Sequence, residues 1–112
     1  MESREFKPFG SVSALTLGGG GIGNVWGETS KEESIASVHL ALESGIDHLD
    51  VAPMYGKGEA ERVVGEAIKE RSRDSFRLTT KCALGSLPDE EVYDRFNTSL
   101  IRSLDTMGTD YV

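Results

Sequence analysis

Asp50, Tyr55 and Lys81 are the residues of this chain whose types and spacing could do chemistry together. A free phenol has a pKa of about 10 and is a poor acid at neutral pH. A neighbouring ammonium favours the phenolate and so makes the hydroxyl a better proton donor, while a carboxylate can hold that ammonium in place. A tyrosine assisted in this way can pass a proton to a carbonyl oxygen as hydride reaches the carbon. The trio works only if the fold gathers residues that lie far apart in the chain.

Period and capping residues predict the elements that would gather them. A first helix begins at Ser30, where Glu33 three residues on completes a capping box. Ile35, Val38 and Leu42 supply its apolar face, and Gly45 its left-handed stop. A second is expected over residues 59–70, with Ala60, Val63, Val64, Ala67 and Ile68 on one face. A third opens near Pro88, with Asp89, Glu90 and Glu91 complementing its dipole, buries Val92, Phe96, Leu100 and Leu104, and ends at Gly108. Strand-length apolar runs lie at 14–17, 46–51 and 76–81, and a fourth begins at 109–112. Ahead of them, residues 4–12 are expected to form a small hairpin around Gly10. Asp50 thus falls at the C-terminal end of one strand, Tyr55 in the loop after it, and Lys81 at the end of the next.

Strands that alternate with helices imply a parallel sheet with helical crossovers, either an open doubly wound sheet or a closed barrel. A (β/α)8 TIM barrel needs eight strands and typically ~250 residues. The 112 residues present would supply three βα units and the start of a fourth strand. We therefore expect residues 1–112 to be the N-terminal part of a single barrel domain whose remainder is absent. In such barrels the C-terminal strand ends converge on one face, which would bring Asp50, Tyr55 and Lys81 into one pocket.

Gly18-Gly-Gly-Gly-Ile-Gly23 matches the glycine fingerprint of a Rossmann dinucleotide site, with Asp50 as the ribose ligand. In that motif the helix starts within the fingerprint, so that its N-terminus faces the pyrophosphate. Here Asn24-Val-Trp-Gly-Glu-Thr intervenes and the capping box places the helix start at Ser30. The alternatives are a plain βα loop and a loop whose backbone closely approaches a bound ligand.

The segment Gly45-Ile-Asp-His-Leu-Asp-Val-Ala-Pro-Met-Tyr-Gly-Lys-Gly-Glu-Ala-Glu-Arg-Val-Val-Gly65 resembles the signature of the aldo-keto reductases. In that family an Asp, a Tyr five residues later and a Lys on the next strand form the catalytic group. Leu15-Thr-Leu-Gly-Gly-Gly likewise resembles the family's first-strand loop, which lies beside the nicotinamide. The resemblance implies reduction of an aldehyde or ketone, or the reverse, with NADPH, or with NADH in its place. Tyr55 would be the proton donor, Lys81 its activator and Asp50 the residue that orients Lys81. Gly19, Gly20 and Asp50 would meet the cofactor, and Trp26 and Tyr55 a small-molecule carbonyl or sugar-like substrate. Val51 departs from the usual Thr, and Ile46 and Asp47 from the aromatic and basic residues often seen there. The family's fourth catalytic residue, a His after the fourth strand, would lie beyond Val112, so residues 1–112 alone are expected to be inactive. The alternative is a non-catalytic nucleotide-binding barrel acting as a regulatory or interaction subunit.

Composition narrows the classes further. A net charge of -7 and no clustered Lys and Arg run argue against a nucleic-acid partner. No apolar run approaches the ~20 residues that span a bilayer, and the N-terminus has no signal-peptide core. The single cysteine, Cys82, fits a reducing compartment, so a cytoplasmic protein is expected. No metal is expected. His48 shares the strand face of Asp50 and is read as a packed, hydrogen-bonded residue. Cys82 should be turned away from Lys81 by strand alternation.

Overall fold

A computed structural model describes residues 1–112. An antiparallel hairpin comes first, β1 (Ser3–Glu5) and β2 (Ser11–Ser13), with Arg4 opposite Val12 and Gly10 turning the chain at φ 77°. There follow β3 (Leu17–Gly18), α1 (Lys31–Glu43), β4 (His48–Asp50), α2 (Glu59–Ile68), a single 3-10 turn at Arg73–Ser75, β5 (Arg77–Thr79) and α3 (Asp89–Met107). Each strand from β3 onward is thus followed by a helix, as the sequence predicts. β3, β4 and β5 form a parallel sheet in that order.

Register decides what each face of the sheet carries. Leu17, Leu49 and Leu78 share one rung, and Gly18, Asp50 and Thr79 the next. Because side chains alternate along a strand, the leucine rung points one way and the polar rung the other. Leu49 and Leu78 are buried among Val38 of α1 and Val63, Val64 and Ala67 of α2, with Leu17 packed beside them. Full burial of one such leucine contributes about 1.5–3 kcal/mol, so this rung fixes which way the sheet faces. A slip of one residue would turn Asp50 into the helices and Leu49 out of them.

α1 starts as its capping box predicts. The Ser30 hydroxyl accepts from the Glu33 amide, and the Glu33 carboxylate accepts from the Ser30 amide. The Ser30 amide, foremost, and the Ser30 hydroxyl both donate to the Glu33 carboxylate and hold it below the usual carboxylate range. The helix therefore starts outside the glycine loop, which removes the Rossmann geometry. α2 buries all five expected apolar residues. α3 ends at Gly108, φ 64°, as expected, but the expected apolar face is not buried: Val92, Leu100 and Leu104 are partly exposed and Phe96 half exposed, whereas Ser103 and Met107 are buried. The reason is that α3 meets α2 through its last turn. A Cβ on Gly65 would come within 2.8 Å of the Thr106 carbonyl oxygen and 3.0 Å of the Met107 Cα.

The strands are shorter than the apolar runs. The 14–17 run becomes Leu17–Gly18, because residues leaving the hairpin bend before they join the sheet, and Leu15 is left exposed. The 109–112 segment is not a strand. It lies against the approach to β5, held by the Arg73 guanidinium, which donates to Thr109 Oγ1 at 2.9 Å and to the Tyr111 carbonyl at 2.9 Å and sits 3.8 Å from the Tyr111 ring centre. At the same end of the sheet, Asp47 accepts from the Ser13 amide at 2.8 Å and pairs with Arg77 at 3.1 Å. Arg77 also donates to the Phe9 carbonyl at 2.9 Å, so the hairpin is tied to the N-terminal ends of β4 and β5.

The close crossing at Gly65 generates a prediction. Gly65→Ala adds a methyl where the backbone of α3 already stands, and overpacking of this kind costs about 1–3 kcal/mol. The denaturant midpoint should fall accordingly, although alanine is the better helix former. A midpoint equal to or above that of the parent protein would show that α3 is not packed there.

Candidate active site

Asp50 ends β4 on the polar rung, and Lys81 follows β5 by two residues on the same side. The Lys81 ammonium donates to the Asp50 carboxylate and, at 3.0 Å, to the Val51 carbonyl. It also stands over the Tyr55 ring, 4.9 Å from its centre. The structure therefore brings together the three residues that the sequence singles out. Asp50 and Lys81 each retain 38% side-chain exposure, which leaves the pair open to a ligand.

Tyr55 reaches this position through a forced backbone path. Gly56, Lys57 and Gly58 lie at φ 61°, 55° and 89°, three successive left-handed residues that turn the chain into α2. A side chain at Gly56 is ruled out twice, by that φ and by the Gly23 carbonyl oxygen, which a Cβ would overlap. The loop after β3 is thus seated on the loop after β4. The Tyr55 carbonyl accepts from the Ala60 amide at 3.3 Å, tying the tyrosine to the first turn of α2.

The glycine loop divides its work. Gly19 and Gly20 are buried, and their missing side chains are filled by the protein. A Cβ on Gly19 would come within 2.8 Å of Val51 Cγ1, and one on Gly20 within 2.8 Å of the Trp26 indole. Gly18 is different. It pairs with Asp50 on the polar rung, is exposed, and has open space where a side chain would stand. That vacant floor beside the Asp50–Lys81 pair is a cradle a flat ring could occupy. Strand alternation in Leu17-Gly18 is the sequence signal that points to it. Trp26 lies with its ring edge on Gly20 and is 81% exposed, at the rim of the same loop.

Below Asp50, His48 spans the sheet. Its Nε2 is 2.8 Å from Thr79 Oγ1 and its Nδ1 3.3 Å from Thr16 Oγ1, so it is hydrogen-bonded as its strand position implies. Cys82 Sγ is 4.0 Å from the Arg95 carbonyl of α3, turned away from Lys81.

The Lys81 ammonium titrates above the usual lysine value of 10.5: partial burial pulls the other way, and bonding to Asp50 and Tyr55 outweighs it. A folded pKa above the unfolded one stabilises the fold below the unfolded value, and that stability is lost as pH rises through the folded value. Raising pH from 8 to about 11 should therefore cost the parent protein more thermal stability than Lys81→Met, whose neutral side chain has no such linkage. Equal losses in the two proteins would show that the ammonium gains nothing from its partners.

Residues 14–112 match the model of the aldo/keto reductase family. The aldo-keto reductase YhdN of Bacillus subtilis is 38% identical over 90% of this chain, and the NADH-specific methylglyoxal reductase of Escherichia coli is 32% identical over 90%. The match takes in 32% and 35% of those two proteins, so the chain spans about a third of the length of its curated relatives. A solved aldo-keto reductase from Klebsiella pneumoniae, in complex with NADPH, superposes on 99% of this chain and 37% of its own length with a TM-score of 0.82 at 26% identity. The thermostable aldo-keto reductase Tm1743 does so over all of this chain and 40% of its own, with a TM-score of 0.83 at 31% identity. The parallel βα arrangement is accordingly an arc of the (β/α)8 barrel of these enzymes, and the chain belongs to the aldo-keto reductase family.

Proposed function

We propose that this chain is the N-terminal part of a reductase that converts an aldehyde or ketone to an alcohol, or the reverse, with Tyr55 as the proton donor. The observation that carries the reading is the Lys81 ammonium, held by the Asp50 carboxylate and set over the Tyr55 ring in an exposed position. As the tyrosine releases its proton to a carbonyl oxygen, negative charge grows on the phenol, and a fixed ammonium nearby stabilises it. Asp50 orients that ammonium by accepting its hydrogen bond, and a carboxylate has no proton to donate in the tyrosine's place. Lysine suits this role because it is a compact charge on a flexible stem.

The cofactor of this reading is NADPH, with NADH as the alternative, and when bound it supplies the hydride. The open floor at Gly18, walled by Asp50 and Lys81, fits a flat nicotinamide ring. The buried Gly19 and Gly20 would shape that floor from below, and Asp50 would border it. Exposed Trp26 and the tyrosine would flank a small carbonyl or sugar-like substrate. Residues 1–112 then carry the first three βα units and the entry to a fourth, and a histidine on later sequence would complete the catalytic group. No helix of the chain is long and apolar enough to cross a membrane.

The test is made in the intact enzyme that carries this segment. Tyr55→Phe keeps the ring under the ammonium and removes the proton, so turnover should fall by about 10²- to 10⁴-fold, the usual contribution of general acid catalysis. NADPH affinity, followed by quenching of protein fluorescence, should be nearly unchanged. Residues 1–112 alone should show no turnover. A Tyr55→Phe enzyme with parental turnover would overturn the assignment of the proton donor.

A further inference from the structure

We propose that Glu61 is a positioning residue whose buried carboxylate, through its hydrogen bond to Thr80, sets where the Lys81 ammonium stands relative to Tyr55. The inference deepens the reductase reading and rests on it. Glu61 is 3% exposed, and its Oε1 accepts from Thr80 Oγ1 at 2.6 Å. A carboxylate taken out of water is costly unless it is paired or hydrogen-bonded. Glu61 joins none of the ion pairs of the chain, so its hydrogen bond to Thr80 is the contact that this burial serves.

That bond falls where the sheet stops holding the chain. The β4–β5 ladder ends at the Asp50–Thr79 pair, with the Val51 amide donating to the Thr79 carbonyl at 2.9 Å. Neither Thr80 nor Lys81 makes a backbone–backbone hydrogen bond. The strand end that presents the ammonium is therefore fixed by side chains on both of its faces. Lys81 reaches Asp50 and Val51 on one side, and Thr80 reaches Glu61 of α2 on the other.

Glu61 is also well placed to refer Lys81 to the tyrosine. It is the third residue of α2, and the preceding residue, Ala60, donates its amide to the Tyr55 carbonyl. Its neighbours Ala60 and Val63 are fully buried, so the helix turn that carries it does not move independently of the core. One rigid turn thus holds Tyr55 by its backbone and Lys81 by the adjacent threonine. Displacement of a reacting group by about 1 Å can cost ~10²-fold in rate, which sets the scale on which such a tether matters.

The experiment uses steady-state kinetics of the intact enzyme with NADPH and a model aldehyde, for Glu61→Ala, Glu61→Gln, Thr80→Val, Thr80→Ser and the Glu61→Ala/Thr80→Val pair. Glu61→Ala and Thr80→Val should each lower kcat by roughly 10- to 100-fold, since both release the strand end. The KM for NADPH should stay within about twofold, because the interaction acts on the transition state and not on binding. Glu61→Gln keeps an acceptor and Thr80→Ser keeps a hydroxyl, so both should recover most of the rate. The double variant should be no slower than the slower single, the mark of two groups acting through one contact. Unfolding midpoints are measured throughout, and if Glu61→Ala does not fold, the nearly isosteric Thr80→Val decides. A folded Thr80→Val enzyme with parental kcat overturns the proposal, as does Glu61→Gln as slow as Glu61→Ala. Tyr55→Phe, run alongside, separates the two levels: if it keeps full turnover the reductase reading itself fails, whereas its loss beside an unaffected Thr80→Val defeats only the role of Glu61.

Discussion

Strand alternation in three short parallel strands is the constraint on which the rest of the structure depends. One rung of leucines, Leu17, Leu49 and Leu78, is drawn toward α1 and α2, and the next rung of Gly18, Asp50 and Thr79 is thereby turned the other way. The hydrophobic side of this choice is strong and non-directional, worth about 1.5–3 kcal/mol for each buried leucine. The polar side is weak in energy but exact in placement. Burial of Leu49 therefore positions Asp50. The same logic carries past the ladder, where Thr80 meets α2 and Lys81 meets Asp50.

The ion pair at the centre of the site is only partly withdrawn from water, and that suits the role proposed for it. A fully buried pair would bear a desolvation cost that its attraction need not repay, and a fully exposed one would be loosely held and screened. At 38% exposure on each side, Asp50 and Lys81 keep room for a ligand while the Val51 carbonyl supplies a further fixed acceptor. Bonding to Asp50 and Tyr55 outweighs the lysine's partial burial and raises its pKa above the ordinary value. An ammonium that is reliably present and fixed in direction is what a proton-donating tyrosine requires beside it.

Much of this was legible in the sequence wherever the signal was local. Ser30 and Glu33 fix the start of α1 by a reciprocal bond that involves nothing outside four residues. The apolar set of α2 reads correctly because a helix face follows from period alone. That Asp50, Tyr55 and Lys81 meet was legible because their strand-end positions put them on one side of a parallel sheet. What failed to show depended on neighbours distant in sequence. Phe96 has the right period to be buried, but α3 touches α2 mainly at its last turn, where Gly65 admits Thr106 and Met107. The 109–112 run has strand-like residues, but Arg73 takes its hydroxyl and carbonyl groups and it pairs with no strand. Gly19 and Gly20 read as ligand-facing glycines, yet Val51 and Trp26 occupy the space beside them. Gly18, the glycine with open space beside Asp50, is told from its neighbours by the strand alternation that sets it opposite Leu17, once the register pairs it with Asp50.

The two ends of the sheet are built differently. At the N-terminal ends, Asp47 binds the Ser13 amide and Arg77, Arg77 binds the Phe9 carbonyl, and Arg73 gathers residues 109–111. Asp47, Arg73 and Arg77 are thus each turned to partners within the protein, which ties the hairpin and the last residues to that end. At the C-terminal ends the arrangement is reversed. The loops after β3 and β4 are locked to each other where Gly56 meets the Gly23 carbonyl, so the frame is stiff, but the groups it presents, Gly18, Asp50, Tyr55 and Lys81, remain accessible. Parallel strands make this separation possible, because all their C-terminal ends lie on one side. On the proposed reading, substitutions at the first end should act on folding and those at the second on reaction, with Glu61 between them, buried like the core and bonded through Thr80 to the strand end that carries the ammonium.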